Sequence, residues 1–384
     1  MRVALLSHSA GHGGTEGCIL RLARGLRERG LDPLVVVPGS GPLREALEAS
    51  GVRTRELFLP WWVSVYRRRF GDARHWLFPL VRDVARLAAV LRPERVDVVD
   101  TATSVLCQGA LVAPLLGAAH VWHLREIYPS PWLTPHLGVT RTLRAIVRGS
   151  RRIVVPSRAV VGSLGPTDRV RVIPESIDDA MYEPAARSGE FRAQLGIGAD
   201  EPLIAVLAPL YAGKDALTAV RALAMLAERG IRAHLALCGA EAEPGYEARV
   251  LQESARLSVR KQVHRLAFQA RVREVYDDLD VLWVTSQSES FGLTIVEEAA
   301  CGVPVVSTRC GGPEEIVRDG ETGYLVEIGD VEAFADRSAR LLRDCELRAG
   351  IVRSAREEAL RYRTVHNVDA TIAVYAETMR EKGG

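Results

Sequence analysis

The sequence predicts two doubly wound α/β domains in tandem, each a parallel sheet covered by helices on both faces. Three observations lead there. Short β-branched runs alternate with longer helical stretches along nearly the whole chain, the arrangement that a helix-covered parallel sheet requires. At 384 residues the chain is long for one ordinary domain and long enough for two, each with its own core. The alternation breaks once, at 174–189 (PESIDDAMYEPAARSG), where turn formers and charges replace it and mark the join.

The first series of strands is Arg2–His8, Pro33–Val37, Val96–Asp100, Ala119–His123 and Arg152–Pro156. A second series begins with Val170–Ile173 and Leu203–Ala208 and continues through Ala233–Cys238, Val263–Phe268, Val281–Val284, Pro304–Ser307 and Tyr324–Val326. Beyond Val326 the pattern is helical, with Asp330–Arg343 and Glu346–Tyr362 reading as amphipathic helices. Ligands of doubly wound sheets sit beyond the carboxyl ends of the strands, so two sheets in tandem place the expected site in the cleft between them.

Apolar residues make up 47% of the chain and charged residues 26%, which excludes a disordered tail or a fibre. A net charge of +2 excludes the chain as a whole from nucleic-acid binding. That charge is unevenly spread: residues 1–180 carry 25 basic and 16 acidic side chains, the remainder 25 and 32, so the halves stand at +9 and −7. Different partners are expected for the two halves. Only Lys214, Lys261 and Lys382 are lysines, which singles each of them out. The six cysteines include no CxxC pair, so free thiols in a reducing cytoplasm are expected. The run MRVALLSHS is too short for a signal peptide, and no stretch reaches the roughly 18 apolar residues of a spanning helix, so the expectation is a cytoplasmic protein.

Two loops carry the chemistry. The first strand runs into His8-Ser9-Ala10-Gly11-His12-Gly13-Gly14-Thr15-Glu16 and then a helix, Gly17–Arg29. Glycine permits the tight turn and helix-start amides suit a phosphate, yet neither GxGxxG nor GK[ST] is present. The stronger feature is Ser288-Glu289-Ser290-Phe291-Gly292-Leu293-Thr294-Ile295-Val296-Glu297-Glu298, directly after the strand Val281–Val284. Glu289 falls in the turn, and Glu297 about one turn into a helix over Leu293–Cys301. Paired carboxylates suit vicinal hydroxyls; two solvated glutamates are the alternative.

Glu289, seven residues, Glu297, then Ala299-Ala300-Cys301-Gly302-Val303-Pro304-Val305-Val306 and Gly311-Gly312-Pro313-Glu314-Glu315, resembles the donor-site signature of retaining glycosyltransferase family 4, which has the GT-B fold. The resemblance extends to Gly13-Gly14 and Glu16, to the turn after Val172-Ile173-Pro174 and to Lys214, and so covers nearly the entire chain. It implies two Rossmann-like domains facing across a cleft: an acceptor-binding domain over 1–175, a donor-binding domain over 176–362, and a crossover helix at about 363–384 that returns to the first.

The resemblance also implies roles. Glu297 would hold the ribose hydroxyls of a nucleotide-sugar donor, and Glu289 with the amides of Ser290, Phe291, Gly292 and Leu293 would grip the donor sugar and distal phosphate. Lys214 would neutralise the departing diphosphate, Gly13 and Gly14 would pack against it, and His123 would lie beside the anomeric carbon. Departures stand beside these matches. Ala208-Pro209-Leu210 occupies the place of an arginine that the family sets five residues before the lysine, and Glu175-Ser176 replaces Asn-Gly. One positive charge is thereby lost from the leaving-group site unless another arginine reaches in, with Arg125 and Arg158 as the candidates.

Residues 60–79 gather Trp61, Trp62, Tyr66, Phe70, Trp76 and Phe78 around Arg67, Arg68 and Arg69. Aromatic faces stack on sugars and arginines attract phosphate, so Trp61, Trp62 and Arg67, with Glu16 and Arg125, are expected acceptor contacts. A loop of core aromatics and solvated arginines is the leading alternative, and peripheral contact with an anionic membrane the last. Trp132-Leu133-Thr134-Pro135-His136 is a further stretch for the acceptor wall. Asp278-Leu279-Asp280 has the outline of a metal motif, but it precedes an apolar strand where the family has a structural aspartate. No metal and no cofactor are expected.

The function expected is transfer of a sugar, with retention, from a nucleotide-diphosphate donor to a hydroxyl of a glycan, a lipid-linked glycan or a small natural product. A UDP-sugar is the favoured donor and GDP-mannose the next. A nucleotide-sugar epimerase on the same scaffold, a non-catalytic sugar-nucleotide binder and an NAD-dependent oxidoreductase are the rivals; the missing GxGxxG stands against the last.

Overall fold

The computed structural model describes residues 1–65, 74–130 and 132–381. The chain divides into one unit formed by Met1–Asp178 with Tyr362–Gly384, and a second formed by Asp179–Arg361.

The first unit is built on a seven-stranded parallel sheet in the order Arg53–Glu56, Asp32–Val37, Arg2–Leu6, Val98–Thr101, Ala119–His123, Arg152–Val155, Val170–Val172. Alternation along each strand supplies two apolar faces. Val3, Leu5, Val35, Val37, Val98 and Val121 face one way, where helices Gly14–Glu28, Pro42–Ala49 and Thr364–Arg380 cover them with Ile19, Leu22, Leu26, Leu47 and Val368. Ala4, Leu6, Val36, Val99 and Trp122 face the other way, onto Arg74–Leu91, Gln108–Leu115, Val139–Gly149 and Arg158–Leu164. Strand order reverses between Arg2–Leu6 and Val98–Thr101, so the loops that follow these two strands flank the switch point.

Two expectations are corrected here. Val170–Val172 pairs with Arg152–Val155 and closes the first sheet rather than opening the second. Trp62, expected to contact an acceptor, is a core residue at 5% exposure: its indole lies 5.9 Å from that of Trp122, and its Nε1 donates to the Ser104 carbonyl at 2.6 Å. A short antiparallel pair, Val63–Val65 with Leu133–Pro135, holds the backbone beside it. Arg67 and the arginines next to it lie outside the described residues.

In the second unit six parallel strands run in the order Val263–Leu266, His234–Cys238, Leu203–Leu207, Val281–Val284, Val305–Thr308, Tyr324–Val326. Ile204, Val206, Leu235, Leu237 and Trp283 bury one face against helices Ala216–Glu228 and Val331–Arg343. Here the order reverses between Leu203–Leu207 and Val281–Val284, the strands that precede Lys214 and Glu289. Asp278 and Asp280 are structural. Asp278 accepts the amides of Gly189 and Phe191 at 2.8 and 2.9 Å and so holds the start of helix Glu190–Leu195, while Asp280 pairs with Arg187 and Arg192.

Candidate active site

Lys214 closes a single 3-10 turn, Ala212–Lys214, beyond the strand Leu203–Leu207, and its neighbour Asp215 caps the next helix by accepting from the Thr218 amide. Glu289 lies in the loop after Val281–Val284. Two bonds tie the loops together: the Gln287 amide donates to the Gly213 carbonyl at 2.9 Å, and Thr285 Oγ1 donates to the Lys214 carbonyl at 2.7 Å. The Lys214 ammonium then pairs with Glu289 Oε1, which also accepts from Ser286 Oγ at 2.7 Å. Burial pulls the lysine pKa down, but the Glu289 charge and hydrogen bond outweigh it, and the group sits above the ordinary lysine value. Lys214 is therefore a fixed positive charge at the switch point.

The Glu289 backbone is clamped from the next strand's loop, its amide donating to the Cys310 carbonyl at 2.9 Å and its carbonyl accepting from Gly312 at 2.8 Å. Gly312 is required: a Cβ there would lie 2.5 Å from the Phe291 nitrogen. Gly292, at φ +114, turns the chain into helix Leu293–Cys301, whose N-terminus has no side-chain cap. The Ile295 amide already returns to the Gly292 carbonyl at 3.0 Å, so the amides at the helix start without an intrahelical acceptor are those of Leu293 and Thr294. Glu297 follows one turn on and accepts from the Tyr276 hydroxyl at 2.9 Å. Its neighbour Glu298 is 1% exposed, and among the described residues neither of its carboxyl oxygens has a hydrogen-bond partner. Burial alone pushes the Glu298 pKa well above the usual carboxylate range.

In the first unit, Gly13 caps helix Gly14–Glu28 and Glu16 occupies the third helical position, folding back so that its carboxylate fills the space a Gly13 Cβ would need. His8 Nε2 lies 3.9 Å from Glu16 Oε1, and the His8 ring packs on Trp61 at 5.5 Å. His8, Glu16 and Trp61, with Gly39 and Ser40, line a cavity of about 510 Å³. The structure thus brings Glu16 and Trp61 together and sends Trp62 elsewhere.

His123 ends its strand with its side chain 6% exposed, and its Nδ1 lies 2.8 Å from Asp100 Oδ1. Arg125 is committed to the protein: its Nε donates to Glu175 at 2.6 Å and its NH1 to the Ala102 carbonyl at 2.7 Å. Burial works against both charges, but each partner's field prevails, holding the arginine pKa up and the Glu175 pKa down. Sequence reasoning missed Asp100, Tyr276, Thr285 and Ser286 as members of these clusters. A carboxylate inside the apolar strand VVDT was a readable signal for Asp100. Among the described residues no group of three or more His, Cys, Asp or Glu has metal-holding geometry, and no helix is long and apolar enough to cross a membrane.

Two doubly wound units with charged loops at their switch points define a GT-B protein, and solved GT-B structures superpose on nearly the whole chain. Anabaena Alr3699/HepE in complex with UDP and glucose gives a TM-score of 0.82 at 23% identity, over 98% of this chain and 99% of that one. WaaG, a glycosyltransferase involved in lipopolysaccharide biosynthesis, gives 0.71 at 17% identity, over 97% and 99%. The chain belongs to glycosyltransferase family 4: residues 12–180 match the Glycosyltransferase Family 4 model and residues 188–358 the model for glycosyl transferases group 1. A D-inositol 3-phosphate glycosyltransferase of Acidothermus cellulolyticus is 33% identical over 223 residues, which is 56% of this chain and 49% of that protein. An N-acetyl-alpha-D-glucosaminyl L-malate synthase of Bacillus anthracis is 30% identical over 217 residues, 56% of each chain. The matches span about half the length of these curated relatives.

Proposed function

We propose that the protein transfers a sugar from a nucleotide-diphosphate donor, a UDP-sugar first, to an acceptor hydroxyl with retention at the anomeric carbon. The observation that carries this reading is the Lys214–Glu289 pair at the switch point of the second unit, beside the uncapped start of helix Leu293–Cys301 and one turn from Glu297. Glu297, kept in place by Tyr276, takes the ribose hydroxyls. Glu289 takes hydroxyls of the transferred sugar, and Lys214, with three donors to share, turns part of its charge to the diphosphate. The amides from Ser290 to Leu293 serve the distal phosphate.

In this reading the bond from the anomeric carbon to the diphosphate oxygen breaks first, leaving a short-lived oxocarbenium-like ion. The acceptor hydroxyl forms its bond on the same face, and its proton goes to the phosphate oxygen that is leaving. Lys214 and the loop amides stabilise that oxygen's growing charge. His123 lies beside the sugar, and Gly13 and Gly14 offer backbone to the diphosphate. The first unit serves the acceptor, with the cavity lined by Glu16 and Trp61 as its site; a glycan, a lipid-linked glycan and a small natural product remain its three classes. UDP is favoured because the Anabaena neighbour was solved with it.

The test is thermal unfolding with UDP, GDP, dTDP, ADP and NAD in turn, since a ligand of the folded state raises Tm. One nucleoside diphosphate standing out, with its shift lost in Glu297→Ala, supports the reading. A shift with NAD alone overturns it.

A further inference from the structure

We propose that Asp100 and Tyr375 are positioning residues for His123: together they hold its imidazole with the proton on Nδ1 and leave Nε2 as the nitrogen presented at the carboxyl edge of the first sheet. The inference rests on the reading of His123 as a contact of the donor sugar.

Asp100 is a fully buried acid in the apolar strand Val98–Thr101. A lone carboxylate there would be strongly destabilising, so it needs partners. His123 Nδ1 lies 2.8 Å from each oxygen, hydrogen-bonded to Oδ1, and Oδ2 also takes the hydroxyl of Tyr375, itself fully buried on helix Thr364–Arg380. Strand register explains the first contact. Asp100 pairs with Val121, and His123, two residues further on, faces the same side. Helix packing explains the second, because Val98, Val121 and Tyr375 share one apolar cluster on that side.

Burial pushes the Asp100 pKa up, but His123 and the two hydrogen bonds outweigh it and leave the carboxyl below its ordinary value. An ionised carboxylate only accepts hydrogen bonds, and Tyr375 already donates to one oxygen. His123 Nδ1, within reach of both oxygens, can bond to this carboxylate only by donating and must therefore carry a proton. Nε2 has no protein partner among the described residues, so it is the nitrogen left for a ligand. A buried acid held from two sides fixes both the proton's place and the tilt of the ring, which a histidine in contact with a reacting sugar needs. The Tyr375 hydroxyl thereby brings the last helix into the working parts of the first unit.

The experiment is a two-bond ¹⁵N–¹H correlation spectrum of the histidine rings in the full chain, with His123 assigned by His123→Ala, alongside steady-state release of UDP from UDP-glucose. Wild type should show His123 with Nδ1 protonated. Asp100→Asn, whose amide turns an N–H toward Nδ1, should move that signal to the Nε2–H pattern and lower kcat about 10- to 100-fold, with the donor KM within about threefold. Tyr375→Phe keeps the ring, removes one oxygen, and should shift both readouts in the same direction by less; it carries the test if Asp100→Asn does not fold. An Nε2–H signal in wild type overturns the proposal, as do variants that lower Tm while leaving tautomer and kcat unchanged. If His123→Ala keeps full turnover while Asp100→Asn still moves the tautomer, the role of His123 in transfer falls and the orienting of its ring by Asp100 stands.

Discussion

Lys214 and Glu289, 75 residues apart in sequence, form an ion pair in which each side chain is less than one-fifth exposed. Neither loop alone would hold its charged group in place. The two meet because the strands before them are neighbours at the point where sheet order reverses.

Replacing the lysine tests what that charge is for. Lys214→Ala should lower turnover by about 10²- to 10³-fold, the usual cost of removing one group that stabilises a developing anion. Lys214→Arg should restore little, because a planar fork does not take the place of a compact ammonium beside Glu289. Release of nucleoside diphosphate in steady state measures both, and wild-type rates in Lys214→Ala would remove the residue from the chemistry.

Glu297 should govern affinity instead. Glu297→Ala is expected to weaken nucleoside diphosphate binding about 10- to 100-fold, as loss of charge-assisted hydrogen bonds does. Tyr276→Phe, which removes the hydroxyl that steadies Glu297, should weaken it less. Titration calorimetry with UDP separates the two, and equal affinities across the three proteins would place the ribose elsewhere.

Glu298 makes stability depend on pH in the direction opposite to most carboxylates. Its folded pKa is raised, so between the ordinary glutamate value and that raised value the folded state binds the extra proton. Stability from this group is present at low pH and falls as pH rises through that window. Glu298→Met, similar in volume and free of unpaired oxygens, should raise Tm, and the gain should be larger at pH 8 than at pH 5. A gain independent of pH would mean that the carboxyl finds a partner.

Arg125 should behave as a structural residue. Arg125→Ala strands the Glu175 carboxylate and is expected to cost about 3 to 5 kcal/mol in urea unfolding. Lowered acceptor affinity at unchanged stability would return Arg125 to the acceptor site.

How far the sequence could be read differs from element to element. Ala119–His123, Val281–Val284, Tyr324–Val326 and helix Leu293–Cys301 were legible to the residue because turn formers bound each apolar run. Arg53–Glu56 was not, since an edge strand reading RTRE shows no apolar alternation. Val63–Val65 and Leu133–Pro135 are three residues each and pair at long range, so neither carries a local signal. Val170–Val172 reads as a strand, but nothing within it says which sheet it joins. Within the candidate site, Glu289, Glu297 and Lys214 stand out through motif and rarity, whereas Tyr276 and Tyr375 gain meaning only from packing. Trp61 and Trp62 are adjacent and identical in type; backbone direction alone makes one a cavity wall, at 38% exposure, and the other core.

Helix Thr364–Arg380 completes a unit whose other elements precede residue 179, and this sets an order on synthesis. At roughly 5 to 20 residues per second, the intervening unit takes about 10 to 40 s to leave the ribosome. Throughout that interval the nascent first sheet lacks Val368, Val374 and Tyr375 from one face, and Asp100 lacks the hydroxyl that meets its second oxygen. The unit translated first therefore cannot be completed until the whole of the second has been made.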